Sequence, residues 1–155
     1  MKHVWLCGAS EKVSFEESNG WREECVERFE NNSKYFRAWN PNDYYNYDER
    51  LHKSDTEIIR FCYNKVEQAD VILVNLQSIR SSVGSLMEIA WAYLLRKPII
   101  GFLEDDHIDI GGEILPLDLN KECHPWVIEC CDRIETGNSA IEDALYYIET
   151  YYGGE

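Results

Sequence analysis

Ser81, Ser82, Gly84 and Ser85, with Glu88 three positions further on, form a cluster of groups whose types and spacing could do chemistry. The hydroxyls and the pliable Gly84 backbone fall where a helix is expected to begin, and free N–H groups and the helix dipole at such an end favour an anion or a hydroxyl-rich ligand. Arg80 adds a positive charge beside them. Glu88 has two readings. It is either a carboxylate belonging to a site, or the closing member of a capping box, because Ser85-x-x-Glu88 has the spacing in which Glu only completes the first helical turn. Local spacing leaves both open.

The elements that must position these residues follow from hydrophobic patterning. Val71 to Leu76 and Pro98 to Phe102 are apolar runs rich in Val and Ile, separated by a loop (Gln77 to Val83) and a helix-length segment (Gly84 to Arg96). Such runs suit parallel strands buried on both faces. In open sheets of this kind ligands bind where strands end and helices begin, which here means Gln77 to Glu88.

Upstream, His3 to Cys7 reads as a first strand leaving through Gly8-Ala9-Ser10. Trp21, Cys25, Val26 and Phe29 recur at helical spacing over Gly20 to Asn31, and Tyr35 to Trp39 reads as a second strand. The aromatic stretch Asn40 to Tyr47, with Tyr44, Tyr45 and Tyr47, is a loop that covers something. It either stacks on a base or seals the core. Ser54 or Asp55 caps a helix to Gln68 whose inward side is Ile58, Ile59, Cys62, Val66 and Ala69.

Downstream, the acidic run Glu104 to Asp109 reads as a solvated loop, since it lacks the glycine-spaced oxygens of a calcium loop. Ile110 to Leu119 is irregular, Trp126 to Ile128 is expected as the fifth strand, and a last helix starts near Asn138 or Ser139, burying Ile141, Leu145, Ile148 and Tyr152. The expected fold is α/β: a Rossmann-like or flavodoxin-like five-stranded parallel sheet with helices on both faces. Right-handed crossovers then bring Gly8 to Ser10 beside Ser81 to Glu88.

Composition narrows the classes of function. A chain of 155 residues, 45% hydrophobic, fits one ordered domain spanning residues 1–155. A formal net charge of −14 excludes nucleic acid as a partner, because phosphate backbones need a surplus of Lys and Arg, but a local pocket can still take a small anion. No stretch reads as a membrane span or a secretion signal, so the expected location is cytoplasmic. The six cysteines (Cys7, Cys25, Cys62, Cys123, Cys130, Cys131) show no CxxC pair and read as free thiols, with Cys7 and Cys62 as small buried residues. Neither a metal site nor a cofactor is expected.

ADVILVNL, then SSVGSLMEIAWAY, then KPII resembles the nucleoside 2-deoxyribosyltransferase family over residues 57 to 102, with WLCGAS as an N-terminal counterpart. The resemblance implies that Glu88 is the nucleophile that attacks an anomeric carbon. It also implies a substrate pocket from Gly8, Ala9, Ser81, Ser82, Gly84 and Ser85, with Tyr44 over it. Six positions before the Glu, transferases of this kind tend to carry Asp, whereas the branch that hydrolyses nucleoside 5′-monophosphates carries a phosphate-holding Ser, and here the residue is Ser82. The substrate implied is a small-molecule nucleotide or nucleoside, and the assembly a homo-oligomer, dimer or higher. The family's further Asp, eight residues before Asp70, falls on Cys62. Asp43, Asp48 and Asp55 are the nearby carboxylates that could stand in. The alternative is a catalytically silent nucleotide-binding module.

Overall fold

The computed structural model describes residues 1–44, 51–104, 107–110, 113–116 and 118–154. Within them the chain runs β1 (Lys2–Cys7), α1 (Phe15–Asn32), β2 (Phe36–Trp39), α2 (Asp55–Gln68), β3 (Val71–Asn75), α3 (Val83–Leu94) and β4 (Ile99–Leu103). It continues through β5 (His107–Ile110), β6 (Glu113–Pro116), α4 (Leu119–Glu122), α5 (Pro125–Cys130), β7 (Arg133–Thr136) and α6 (Ala140–Tyr152). Five strands pair in parallel in the order β2-β1-β3-β4-β7, while β5 and β6 form a separate antiparallel hairpin. This is the expected α/β architecture with flavodoxin-like strand order. The order reverses between β1 and β3, so the loops leaving those two strands diverge and open a crevice at their carboxyl ends.

Strand alternation sorts side chains into two cores. Val4, Leu6, Val71, Leu73, Ile100 and Phe102 pack with α1 and α6 on one face. On the other face Trp5, Cys7, Ile72, Val74, Ile99 and Leu103 pack with α2, α3 and α5. Trp5 and Cys7 therefore reach the end of β1 pointing toward α3, which carries Glu88. Among the described residues no helix is long and apolar enough to cross a membrane. All six cysteines are free thiols, with Cys7 and Cys62 buried.

Three expectations are corrected. The fifth strand is Arg133–Thr136, and the apolar triplet Trp126 to Ile128 is helical instead, because Pro125 sits in the first turn and the His124 ring accepts a hydrogen bond from the Trp126 N–H. The true strand lies at the sheet edge with Arg133 and Thr136 exposed, so it lacks the continuous apolar run that marks a central strand. Helix α1 begins at Phe15, where Ser14 accepts from the Glu17 N–H, five residues before the expected Gly20. The irregular segment after Phe102 contains the β5–β6 hairpin. Tyr45, Tyr47, Asp48, Asp105 and Asp106 lie outside the described residues.

Candidate active site

Helix α3 starts at Val83, one residue earlier than expected, with Ser82 as its N-cap. Ser85 therefore sits in the first turn, and Glu88 lies a full turn deeper than a capping-box Glu would. The Ser85 hydroxyl meets that of Ser82 at 2.7 Å, and the Ser82 side chain makes no capping hydrogen bond to the helix. The Glu88 carboxylate turns instead toward the sheet, where it accepts a hydrogen bond from the Trp5 indole N–H.

Cys7 completes this corner. Its thiol lies 3.6 Å from the Ser85 carbonyl and within reach of Glu88. Burial pushes the Glu88 carboxyl up from its ordinary value to about 7; the Trp5 N–H, the Arg22 charge and the Cys7 thiol each pull it part of the way back. Burial and the neighbouring Glu88 charge push the Cys7 thiol well up, so it stays a neutral donor. The site thus holds a half-buried carboxylate that is partly protonated near neutral pH, the tuning expected of a group used in catalysis.

Arg22, which sequence reasoning passed over, organises the opposite wall. It is 1% exposed, and its guanidinium donates to the carbonyls of Leu6 (3.1 Å), Gly8 (2.8 Å) and Ser18 (2.6 Å) and to the Ser18 hydroxyl (2.7 Å). One side chain thereby fixes the end of β1, the loop after it and the start of α1. Trp21 closes over it, with the guanidinium carbon 4.7 Å from the ring centroid. Gly8 is required here because a Cβ would meet Trp21 at 2.8 Å and Asn75 at 3.3 Å. A buried polar cluster continues outward: Asn40 and Asn42 both donate to Asn19, and Asn42 also donates to Ser18. It ties the segment after β2 to α1. Among the described residues the Asn42 side-chain carbonyl meets no hydrogen-bond donor.

These elements enclose a cleft of about 420 Å³ lined by Gly8, Ser10, Arg22, Ser82, Gly84, Ser85 and Glu88, with Cys62 and apolar side chains opposite. A larger hollow of about 550 Å³ lies between Tyr93, Lys97, Pro98, Asp132 and Tyr152, at the amino ends of the strands. Ligands of open parallel sheets bind at the carboxyl ends, so the smaller cleft is the candidate site.

Of the residues read from sequence, Gly8, Cys62, Ser82, Gly84, Ser85 and Glu88 come together in this cleft. Ala9 is buried beside it without lining it, and Ser81 turns away, its hydroxyl donating to the Ser78 carbonyl. Tyr44 packs on Phe61 and under Lys65 rather than on the cleft wall. Arg80 also points elsewhere. The turn Ile79–Ser81 buries Ile79, and the Arg80 guanidinium donates to the carbonyls of Lys121 (2.7 Å) and Asn120 (3.2 Å). Trp5, Cys7 and Arg22 were missed. The signal for Trp5 was its strand parity with Cys7; for Arg22 it was Ser18 one helical turn before it, hidden because α1 was expected to start too late.

The family model for nucleoside 2-deoxyribosyltransferase matches residues 4–121. No curated protein matches the sequence. Among solved structures, the fold is similar to a CMP N-glycosidase, BcmB, from Clostridium botulinum (16% identity, TM-score 0.60, covering 97% of this chain and 99% of that one). It is also similar to a conserved protein from Enterococcus faecalis (16%, TM-score 0.66, 97% and 98%) and to a 2-desoxiribosyltransferase from Leishmania mexicana (14%, TM-score 0.61, 98% and 99%). At these identities the structures speak for the fold, while the family match spans most of the chain and contains every residue of the candidate site. The chain belongs to the nucleoside 2-deoxyribosyltransferase family, an enzyme class of glycosyl transfer and glycosidic cleavage.

Proposed function

We propose that the cleft breaks the N-glycosidic bond of a nucleoside or nucleoside 5′-monophosphate, with Glu88 as nucleophile. The observation that supports this best is the Glu88 carboxylate itself: it lines the cleft, is held by Trp5 and Cys7, and has no part in capping α3. A Glu serving only the helix would face the first-turn backbone.

In this reading one Glu88 oxygen attacks C1′ while the Trp5 N–H holds the carboxylate. The C1′–N bond breaks through an oxocarbenium-like transition state, and its electron pair leaves with the base. The resulting glycosyl ester is released by water in a hydrolase, or by a second base in a transferase. A 5′-phosphate would sit at the uncapped α3 N-terminus, where the Ser82 hydroxyl and first-turn N–H groups converge. That placement favours nucleotides, and with them hydrolysis.

The test is incubation with a panel of nucleosides and their 5′-monophosphates, followed by chromatography of free base. Release that is stronger from monophosphates is expected. No release from any member would contradict the proposal and favour the silent binding module.

A further inference from the structure

We infer that Arg22 is a positioning residue for Glu88: it clamps the end of β1 on both sides of Cys7 and so holds in place the two donors that fix the carboxylate. This rests on Glu88 acting as nucleophile. The guanidinium grips the backbone just before and just after Cys7, with Nε–H donating to the Leu6 carbonyl at 3.1 Å and Nη2–H to the Gly8 carbonyl at 2.8 Å. Its Nη1 end is tied to α1 by the Ser18 carbonyl at 2.6 Å and hydroxyl at 2.7 Å. A rigid, planar fork of donors can span these points at once, and a lysine ammonium cannot.

Trp5 and Cys7 alternate onto the face of β1 that meets α3, so both move with the strand end. From there the Trp5 indole donates to the Glu88 carboxylate, and the Cys7 thiol reaches the same carboxylate while lying 3.6 Å from the Ser85 carbonyl. A clamp anchored on α1 thereby acts on Glu88 through β1. The charge of Arg22 works in the same direction, because it is buried, little screened, and favours the Glu88 anion. Among the described residues the titratable groups around Glu88 are Cys7 from β1, Arg22 from α1, Cys62 from α2 and Glu11 from the loop after β1.

Pose matters because attack needs the carboxylate oxygen about 3–3.5 Å from C1′ and aligned with it, and a misplacement of about 1 Å can cost about 10²-fold in rate. Loss of the clamp should therefore lower kcat and leave KM nearly alone.

The test uses Arg22→Lys, which keeps the charge and loses the fork, and Arg22→Gln, which loses both. The chain has five tryptophans, and nitrogen–proton correlation spectra of isotope-labelled protein separate their indole N–H groups, with Trp5→Phe identifying the Trp5 signal. In wild type that signal should lie downfield, as a proton held by a carboxylate does. In both variants it should move upfield toward the position of a free indole, while the signal of the exposed Trp126 stays. Base release from the best substrate should show kcat at least about tenfold lower with KM within about twofold. Should neither variant fold, Ser18→Ala, which removes one anchor of the clamp, should give the same changes in smaller measure. A Trp5 signal that stays downfield in a folded variant, or an unchanged kcat there, would overturn this inference and leave the proposed function standing. No base release by wild type, with the Trp5 signal displaced in the variants, would overturn the proposed function and leave the clamp on Glu88 intact.

Discussion

Glu88 sits where burial makes its charge costly to the fold, and the proposed reaction uses that charge. In the proposed reaction the Glu88 anion attacks, and with a carboxyl pushed up to about 7 that anion fills in only as pH rises through neutrality, so base release should climb from pH 5 to 8 with a midpoint near 7. Trp5→Phe removes the donor that favours the anion; the rate should drop and the rising limb move to higher pH, which a pH–rate profile reads directly. Stability moves the opposite way. The folded state holds this proton more tightly than the unfolded chain, so the contribution is complete below about 4.5 and is lost as pH rises to about 7. Glu88→Gln should therefore melt above wild type at pH 8, by about 1–3 kcal/mol, and level with it at pH 4. A variant less stable at both pH values would show that Glu88 serves the fold.

At the scale of elements, the sequence displayed the sheet but not the whole site. Continuous apolar runs at Val71 and Ile99 made β3 and β4 plain, and with them the crevice at their ends. Glu88 and Ser82 were legible because a loop and a helix start follow β3. The other wall was hidden: FEESN has no apolar period, so the start of α1 with Ser18 and Asn19 could not be seen, and Arg22, inside the expected helix, lacked the partner that marks it. Arg133–Thr136 was masked for a related reason, since an edge strand need not be apolar on both faces. Nor could periodicity tell that Glu88 would meet an indole from β1, a contact that only the packing of α3 on the sheet makes.

Two predictions belong to these elements. Ser82→Ala should weaken nucleoside monophosphates by about 1.5–3 kcal/mol while sparing plain nucleosides, because only the former lose a charge-assisted hydrogen bond; equal losses would remove the phosphate from α3. Arg22→Met should cost more than about 3 kcal/mol in urea unfolding, since it removes buried, charge-assisted hydrogen bonds to three carbonyls at once.

For the whole molecule, the outer side of α3 is the notable surface. Val83 is 69% and Leu94 77% exposed, and both share a helical stripe with Met87. Val83 and Met87 also line the cleft, so a second copy docked on this stripe would close the site as well as cover apolar surface. We propose that homodimer. Sedimentation equilibrium should find dimers that tighten with salt, as screening relieves a net charge of −14 on each chain. Leu94→Glu should give monomers with a raised KM. A wild-type chain that is monomeric at every concentration yet fully active would contradict the dimer.

The proposed function turns on a covalent bond between Glu88 and a sugar. Acid quench of the reaction with each cleaved substrate, followed by peptide mass spectrometry, detects that bond. The expected result is a glycosyl adduct on the peptide containing Glu88, absent from Glu88→Gln, whose base release falls by orders of magnitude. Undiminished release by Glu88→Gln, with no adduct on the wild-type peptide, would contradict it.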